Sequence, residues 1–404
     1  MYKICEIESE YMQYKRQIVE TIKSRINEPK RFIQIVIGAR QTGKTTAVTQ
    51  ALEGYGLPYL FVEATKGESD ADWLRAQWYQ GRNLLRHAPA ALLVVDEIQY
   101  VPHWSAVVKT LWDEDFRSGL ELRVLLTGFS ATLIQEGLDE SLNGRFELIH
   151  SPHWSLAECR EAFGYDLDDF LFYGGYPGSA ALRHDGGRWL RYMRSSIINS
   201  SISNDVMLLD DVRKPELMRR LFEVGATYSA QEISYRKLLG QLDDRGNTAT
   251  IAHYLGLLDD AGMMSGLQKY DPNLLREKAS SPRLMVHDTA LMTAAYGRRR
   301  ARLLTEPEQR GRLVESAIGA YLINRAKVED FQVYWWRDGR DEVDFVIACE
   351  DAVTAIEVKS GRVKPTTGMA RFLVENPRAK SIVVGSPECG IEEFLLGEES
   401  LFYD

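Results

Sequence analysis

The stretch FIQIVIGARQTGKTT, Phe32 to Thr46, decides how the first third of the chain is read. An apolar run passes straight into a loop with the pattern G-x-x-x-x-G-K-[ST] and then into helix-favouring residues. A strand, a glycine-rich loop and a helix in that order form the context in which this pattern cradles phosphate. Gly38 and Gly43 let the backbone curl until its N–H groups converge on anionic oxygens. A helix that opens near Lys44 turns the positive end of its dipole to the same point. The expected nucleotide-binding set is therefore Gly38, Ala39, Arg40, Gln41, Thr42, Gly43, Lys44, Thr45 and Thr46. Lys44 is expected on the β and γ phosphates and the Thr45 hydroxyl on Mg²⁺, so ATP and Mg²⁺ are the expected cofactors.

Three further apolar runs follow: PYLFVEA (58–64), ALLVVDE (91–97) and LRVLLTG (122–128). They lack polar alternation, which predicts buried strands of a parallel sheet covered by helices on both faces. The run ALLVVDE ends in Asp96 and Glu97. A carboxylate there can hold Mg²⁺ through its water, and the next can polarise the attacking water. The run after it ends in LLTGFSATL (125–133). Its Thr127 or Ser130 either senses the γ-phosphate or is simply a polar turn residue. Arg145, in SLNGRFEL (141–148), either reaches a neighbouring subunit's nucleotide as an arginine finger or pairs with a surface acid. The finger reading implies a homo-oligomer.

The composition bounds the rest. The chain has 404 residues, 45% hydrophobic and 26% charged, which predicts two or three soluble domains with sizeable cores. The net charge of −9 argues against bulk coating of nucleic acid but leaves room for a local basic patch. The four cysteines, Cys5, Cys159, Cys349 and Cys389, are far apart and signal neither a zinc site nor a disulfide framework. No apolar run approaches the roughly 20 residues that span a bilayer, and the N-terminal stretch is polar, so a cytoplasmic protein without a membrane partner is expected.

Helical periodicity dominates from about Asp166 to Lys269. SAQEISYRKLLGQL (229–242) followed by NTATIAHYLGLLDDAGMMSGLQKY (247–270) predicts a helix-turn-helix with a wing. Its second helix carries Asp259 and Asp260 and little positive charge, so it enters a DNA groove or serves only as a packing module. The segment YGRRRARLLTEPEQR (296–310) reads as a basic, turn-rich linker. Beyond it the order is α-β-β-β-α-β. The expected domains are 1–165, 166–300 and 301–404.

The matching stretches GARQTGKTT, VVDEIQYVPHW, LLTGFSATL, SLNGRFEL, FYGGYPGSA and EVDFVI…AIEVKSG together resemble a prokaryotic family. Its members join an AAA-type P-loop ATPase to a C-terminal domain, long of unassigned function, related to the PD-(D/E)xK nucleases. Phe129 departs from that pattern, where a small hydroxyl residue is expected. The resemblance implies an α/β fold class: a parallel-sheet ATPase domain, a mainly helical winged-helix middle domain and a C-terminal α/β restriction-endonuclease-like domain.

It also implies a second constellation. In AIEVKSG (355–361), alternation puts Glu357 and Lys359 on one face of a strand. Asp344 lies on the preceding strand and Glu315 on the helix before that. By the resemblance, Asp344 and Glu357 bind Mg²⁺, Lys359 orients the bound water and Glu315 is an outer ligand. The bland alternative is a half-exposed strand with paired charges. Basic candidates for DNA contact are Arg298, Arg299, Arg300, Arg302, Arg362 and Lys364. Trp335 and Trp336 read as sheet packing rather than base stacking. Two functions follow: an ATP-dependent, Mg²⁺-dependent processor of structured or branched DNA, or a switch ATPase whose nuclease-like domain is an idle docking module.

Overall fold

In a computed structural model of the chain, which describes residues 14–129, 142–206, 212, 214–242, 247–271, 281–297, 300–361 and 367–403, the apolar runs become strands, though the one at 59–63 lies at the sheet's edge and is not buried as expected. Ser130, Arg298, Arg299, Arg362, Lys364 and Cys5 lie outside the described residues. The described residues divide into two compact units, 14–151 and 152–403.

In the first unit, β1 (Ile33–Ile37), β2 (Tyr59–Glu63), β3 (Ala91–Asp96) and β4 (Leu122–Gly128) are joined by β5 (Phe146–His150), a strand the sequence reading did not anticipate. The sheet order is β2-β3-β4-β1-β5 and every pairing is parallel. Alternation along these strands feeds two cores. Ile33, Ile35, Leu93, Val95, Val124 and Leu126 face one layer, with Trp78, Trp104 and Leu111. Val36, Leu92, Val94, Leu125 and Ile149 face the other, with Val48. Each such buried side chain contributes roughly 1.5–3 kcal/mol. Helix α1 (Gln17–Asn27) lays Ile18, Ile22 and Ile26 onto the second layer at four-residue spacing. Helix α2 (Lys44–Leu52) follows β1, and α3 (Ala71–Leu84) and α4 (Trp104–Arg117) cover the first layer. The buried Asp115 of α4 accepts from Trp78 Nε1 (2.8 Å) and Arg82 Nε (2.6 Å), tying these two helices together.

The second unit begins with α5 (Leu156–Phe163) and α6 (Leu167–Tyr173). After further short helical stretches between residues 177 and 206 come α7 (Pro215–Thr227), β6 (Gln231–Glu232), α8 (Tyr235–Gln241), α9 (Thr248–Asp260), β7 (Met264–Leu267) and β8 (Arg283–Val286). The three short strands form an antiparallel sheet in the order β6-β8-β7. Asn247 caps α9, and Gly262 takes a positive φ of 70° where the chain turns into β7. Most of the described part of the span expected as a linker is helical: α10 (Thr289–Tyr296) precedes α11 (Arg300–Thr305) and α12 (Pro307–Glu329). Pro307 at the first turn of α12 does not break the helix, because its missing N–H would be unpaired there anyway. A sheet in the order β12-β11-β10-β9 closes the unit, from β9 (Gln332–Asp338), β10 (Asp341–Cys349), β11 (Ala352–Val358) and β12 (Lys380–Val384), with α13 (Thr367–Glu375) between the last two. Trp336 packs with Val343, Val346 and Phe372 in its core, and Trp335 is also buried.

The division between the units falls at 151/152, near the expected 165/166. Residues 166–300 and 301–404 share one unit because α12 passes against β8 and β10 so closely that a Cβ on Gly319 would run into Met285 and Phe345. FYGGYPG is part of the same packing. Asp288 accepts from the N–H groups of Gly175 (2.7 Å) and Ala290 (2.8 Å), and Gly174, at φ +63°, leaves no room for a Cβ beside that carboxylate. Burial pushes the Asp288 carboxyl up to about 6, against the pull of those two N–H groups. No helix among the described residues is long and apolar enough to cross a membrane.

Candidate functional site

The phosphate loop sits between the end of β1 and the start of α2. Gly43 takes φ +89° and Gln41 φ +61°, which gives the tight curl predicted from the glycines. A Cβ on Gly38 would collide with the carbonyl of Ser151, just past β5. Lys44 is buried, and its ammonium donates to the carbonyls of Gly38 (2.9 Å) and Ala39 (2.8 Å). Thr42 Oγ1 donates to the Ala39 carbonyl (2.9 Å). Thr46 lies exposed in the first turn of α2.

Parallel pairing brings the ends of β3 and β4 next to this loop. Asp96 accepts from Thr45 Oγ1 (2.7 Å) through one carboxylate oxygen and from Thr127 Oγ1 through the other. Thr127 Oγ1 in turn accepts from the N–H of Glu97 (3.1 Å). Glu97 sits in the left-handed region at φ 55°, and its carboxylate accepts from Gln99 Nε2. Thr45, Asp96, Thr127 and Glu97 are thus one hydrogen-bonded chain across three elements.

Arg40 donates to the Tyr100 hydroxyl (2.9 Å) and stands 5.5 Å from the ring of Phe129. The departure from the resembled family's turn is therefore a buried aromatic against the loop arginine. Arg145 does not stand free as a finger. Its Nε and Nη2 grip both oxygens of Asp113 (2.8 and 3.2 Å), the surface-acid alternative. Sequence reasoning missed Arg16, which is buried and donates to the Thr42 carbonyl (3.2 Å) and Ser151 Oγ (3.4 Å). Nothing local marks it, since its partners lie far along the chain. Loop N–H groups on a glycine-dependent curl, an ammonium, and a hydroxyl beside a carboxylate are a donor set that fits a nucleotide's phosphates with Mg²⁺.

In the second unit the structure brings Glu315, Asp344, Glu357 and Lys359 together. Lys359 Nζ pairs with Glu357 Oε1 (2.6 Å), and Asp344 Oδ2 accepts from the N–H of Val358 (2.8 Å). Asp344 and Glu357, expected to share a metal, each meet groups of the chain itself: a backbone N–H for Asp344 and the Lys359 ammonium for Glu357. Arg283 of β8, only 2% exposed, donates to Glu315 Oε1 (3.0 Å), to the Asp344 carbonyl (3.1 Å) and to Glu342. Its Nη1 lies 3.7 Å from Asp344 Oδ1, and its guanidinium 5.3 Å from the Trp335 ring. Among the described residues no group of three or more His, Cys, Asp or Glu is arranged to hold a metal ion. The residues as placed therefore do not fit a divalent ion. The sequence held a signal for Arg283: a cation inside the apolar run RLMV must meet carboxylates when buried.

Burial pushes the Glu315 carboxyl up to about 8; the Asp344 charge adds to this, and Arg283, Lys359 and Arg312 pull the other way. Asp344 is also raised, chiefly by burial, with Arg283 and the Val358 N–H opposing. The folded state then binds the Glu315 proton more tightly than the unfolded chain, whose carboxyl stays near 4.5. Stability from this group falls as pH rises from about 4.5 to about 8. Glu315→Gln keeps an acceptor for Arg283 without a charge, so its urea midpoint should fall less between pH 5 and pH 8. Equal slopes for both proteins would show that Glu315 is ionised throughout.

Of the expected basic candidates, Arg300 pairs with Asp169 (2.8 Å) and Arg302 with Glu306 (2.6 Å), so neither offers an unopposed charge.

The comparisons with known proteins agree with the first unit's geometry. Residues 30–160 match the AAA domain family. Residues 164–302 and 310–388 match two families described as domains of unknown function, DUF8612 and DUF4143. An uncharacterized protein of Mycobacterium tuberculosis is 27% identical over 331 residues, covering 81% of this chain and 70% of its own. One of Methanocaldococcus jannaschii is 23% identical, covering 64% of this chain and 59% of its own. Among solved structures, a Walker-type ATPase of Pyrococcus abyssi aligns with a TM-score of 0.50 at 13% identity, over 70% of this chain and 95% of that one. With its parallel sheet, its glycine-dependent loop and this family match, the chain carries an AAA-type P-loop domain.

Proposed function

We propose that the first unit binds and hydrolyses ATP, and that the chain is a switch whose nucleotide state sets the binding of a partner. The observation that carries the reading is Asp96, which takes hydrogen bonds from Thr45 of the loop helix and Thr127 of the next strand at once. Bound ATP with Mg²⁺ would supply the scissile anhydride and the divalent charge that neutralises its phosphates. The loop N–H groups and Lys44 would hold the phosphates. Thr45 and Asp96 would hold the ion, and Glu97 would take the proton of the attacking water. Thr127 would report a change at Asp96 to the Glu97 backbone. Phosphate release from ATP, with and without added DNA, tests this: no release under either condition, with purified folded protein, would remove the hydrolysis reading.

For the second unit the geometry favours a docking module over a nuclease. The order β6-α8-α9-β7-β8 supports a winged-helix reading of its first part, and α-β-β-β-α-β an endonuclease-like reading of its last. The exposed positions of α9, Ala249, Ala252, His253 and Gly256, carry no lysine or arginine. A helix that reads a major groove needs positive charge toward the phosphates. The competing reading, Mg²⁺-dependent cutting of structured DNA, predicts that wild type nicks plasmid or junction DNA with Mg²⁺ and ATP and that Lys359→Ala does not. The docking reading predicts no cutting by either.

A further inference from the structure

We infer that Arg283 is the built-in cation of the C-terminal acid cluster, set among Glu315, Glu342 and Asp344, so that the cluster clamps β8 to α12 and β10 and takes up a metal only when that guanidinium is removed. The inference rests on the docking reading above and explains how four acid-base residues can stay together without cutting anything.

The placement carries it. Arg283 belongs to the short sheet of the 164–302 segment, yet its fork reaches Glu315 on α12 and Glu342 and the Asp344 carbonyl on β10. A planar guanidinium satisfies acceptors converging from several sides with directed N–H groups. A small divalent ion asks for near-octahedral oxygen ligands and would face the Arg283 charge at contact distance. The remaining acids are engaged as well: Arg337 takes Glu342, Lys359 takes Glu357, and the Val358 N–H takes Asp344. Trp335 covers the guanidinium from one side and anchors its own Nε1 on the Leu267 carbonyl (3.1 Å). A cation held this way is a structural part, and removing it leaves carboxylates that seek another.

The test is Mn²⁺ titration of the nucleotide-free full-length protein, followed by the electron paramagnetic resonance signal of free Mn²⁺. Four proteins are compared: wild type, Asp344→Asn, Arg283→Met and Arg283→Met with Asp344→Asn. The expected result is the same Mn²⁺ uptake by wild type and Asp344→Asn, one additional ion per chain for Arg283→Met, and loss of that ion in the double variant. Wild-type uptake that Asp344→Asn abolishes overturns the inference, as does a folded Arg283→Met protein that takes up no more than wild type. If circular dichroism shows Arg283→Met to be unfolded, the comparison of wild type with Asp344→Asn decides alone. The switch reading fails separately, by absent ATP turnover, and the docking reading by DNA cutting. Neither readout involves Mn²⁺ uptake without nucleotide.

Discussion

Lys44→Ala should lower ATP turnover by at least about a hundredfold, the scale on which one preorganised charge stabiliser acts. The ammonium is buried and held by the carbonyls of Gly38 and Ala39, so it is preplaced at the loop and does not arrive from solvent. Alanine removes the only side-chain cation of GARQTGKTT besides Arg40, and Arg40 is turned to Tyr100 and Phe129. Charge building on the phosphates would then meet the backbone N–H groups and the divalent ion without the ammonium between them. Phosphate release measured against circular dichroism of the same preparation separates this from misfolding. Retained turnover in a folded Lys44→Ala protein would place the hydrolytic site elsewhere.

Glu97→Gln should slow hydrolysis about a hundredfold or more, the usual contribution of a general base, while ATP stays bound. The backbone of Glu97 is fixed by its N–H to Thr127 and by its left-handed conformation, and glutamine preserves both. The side chain also keeps its size and its contact with Gln99, but it can no longer take a proton. The signature is a split: unchanged affinity for a fluorescent ATP analogue and a collapsed kcat. Loss of affinity in step with kcat would mean that Glu97 holds the site's shape and is not its base.

Much of the first unit was legible in the sequence because its signals are local. A strand that must be buried on both faces is an unbroken apolar run, and a loop that must curl around an anion needs glycine at fixed offsets. Both survive translation into one dimension. The strand β5 was not legible: FELIH is short and half polar, and its parallel pairing with β1, which backbone bonds of Arg145 and Ser151 to Ile33 and Ile37 continue at its two ends, is a long-range contact. Arg145 itself was left between two partners, and the Asp113 carboxylate took it.

In the second unit the sequence placed Glu315, Asp344, Glu357 and Lys359 on their elements and in order, since side-chain alternation and helical periodicity are properties of the chain. What the cluster holds was decided by a residue outside it. Arg283 is 32 residues from Glu315 and 61 from Asp344, and no spacing rule links them. Long-range charge pairing depends on which segments the core brings into contact, and here Gly319 lets α12 lie against β8. The sequence by itself thus pointed to a phosphate loop, its acidic partner strand and four members of the acid cluster, Glu315, Asp344, Glu357 and Lys359, but not to Glu342. Only the tertiary structure decided that a buried guanidinium occupies that cluster, because electrostatic partnership is set by distance through space and not along the chain.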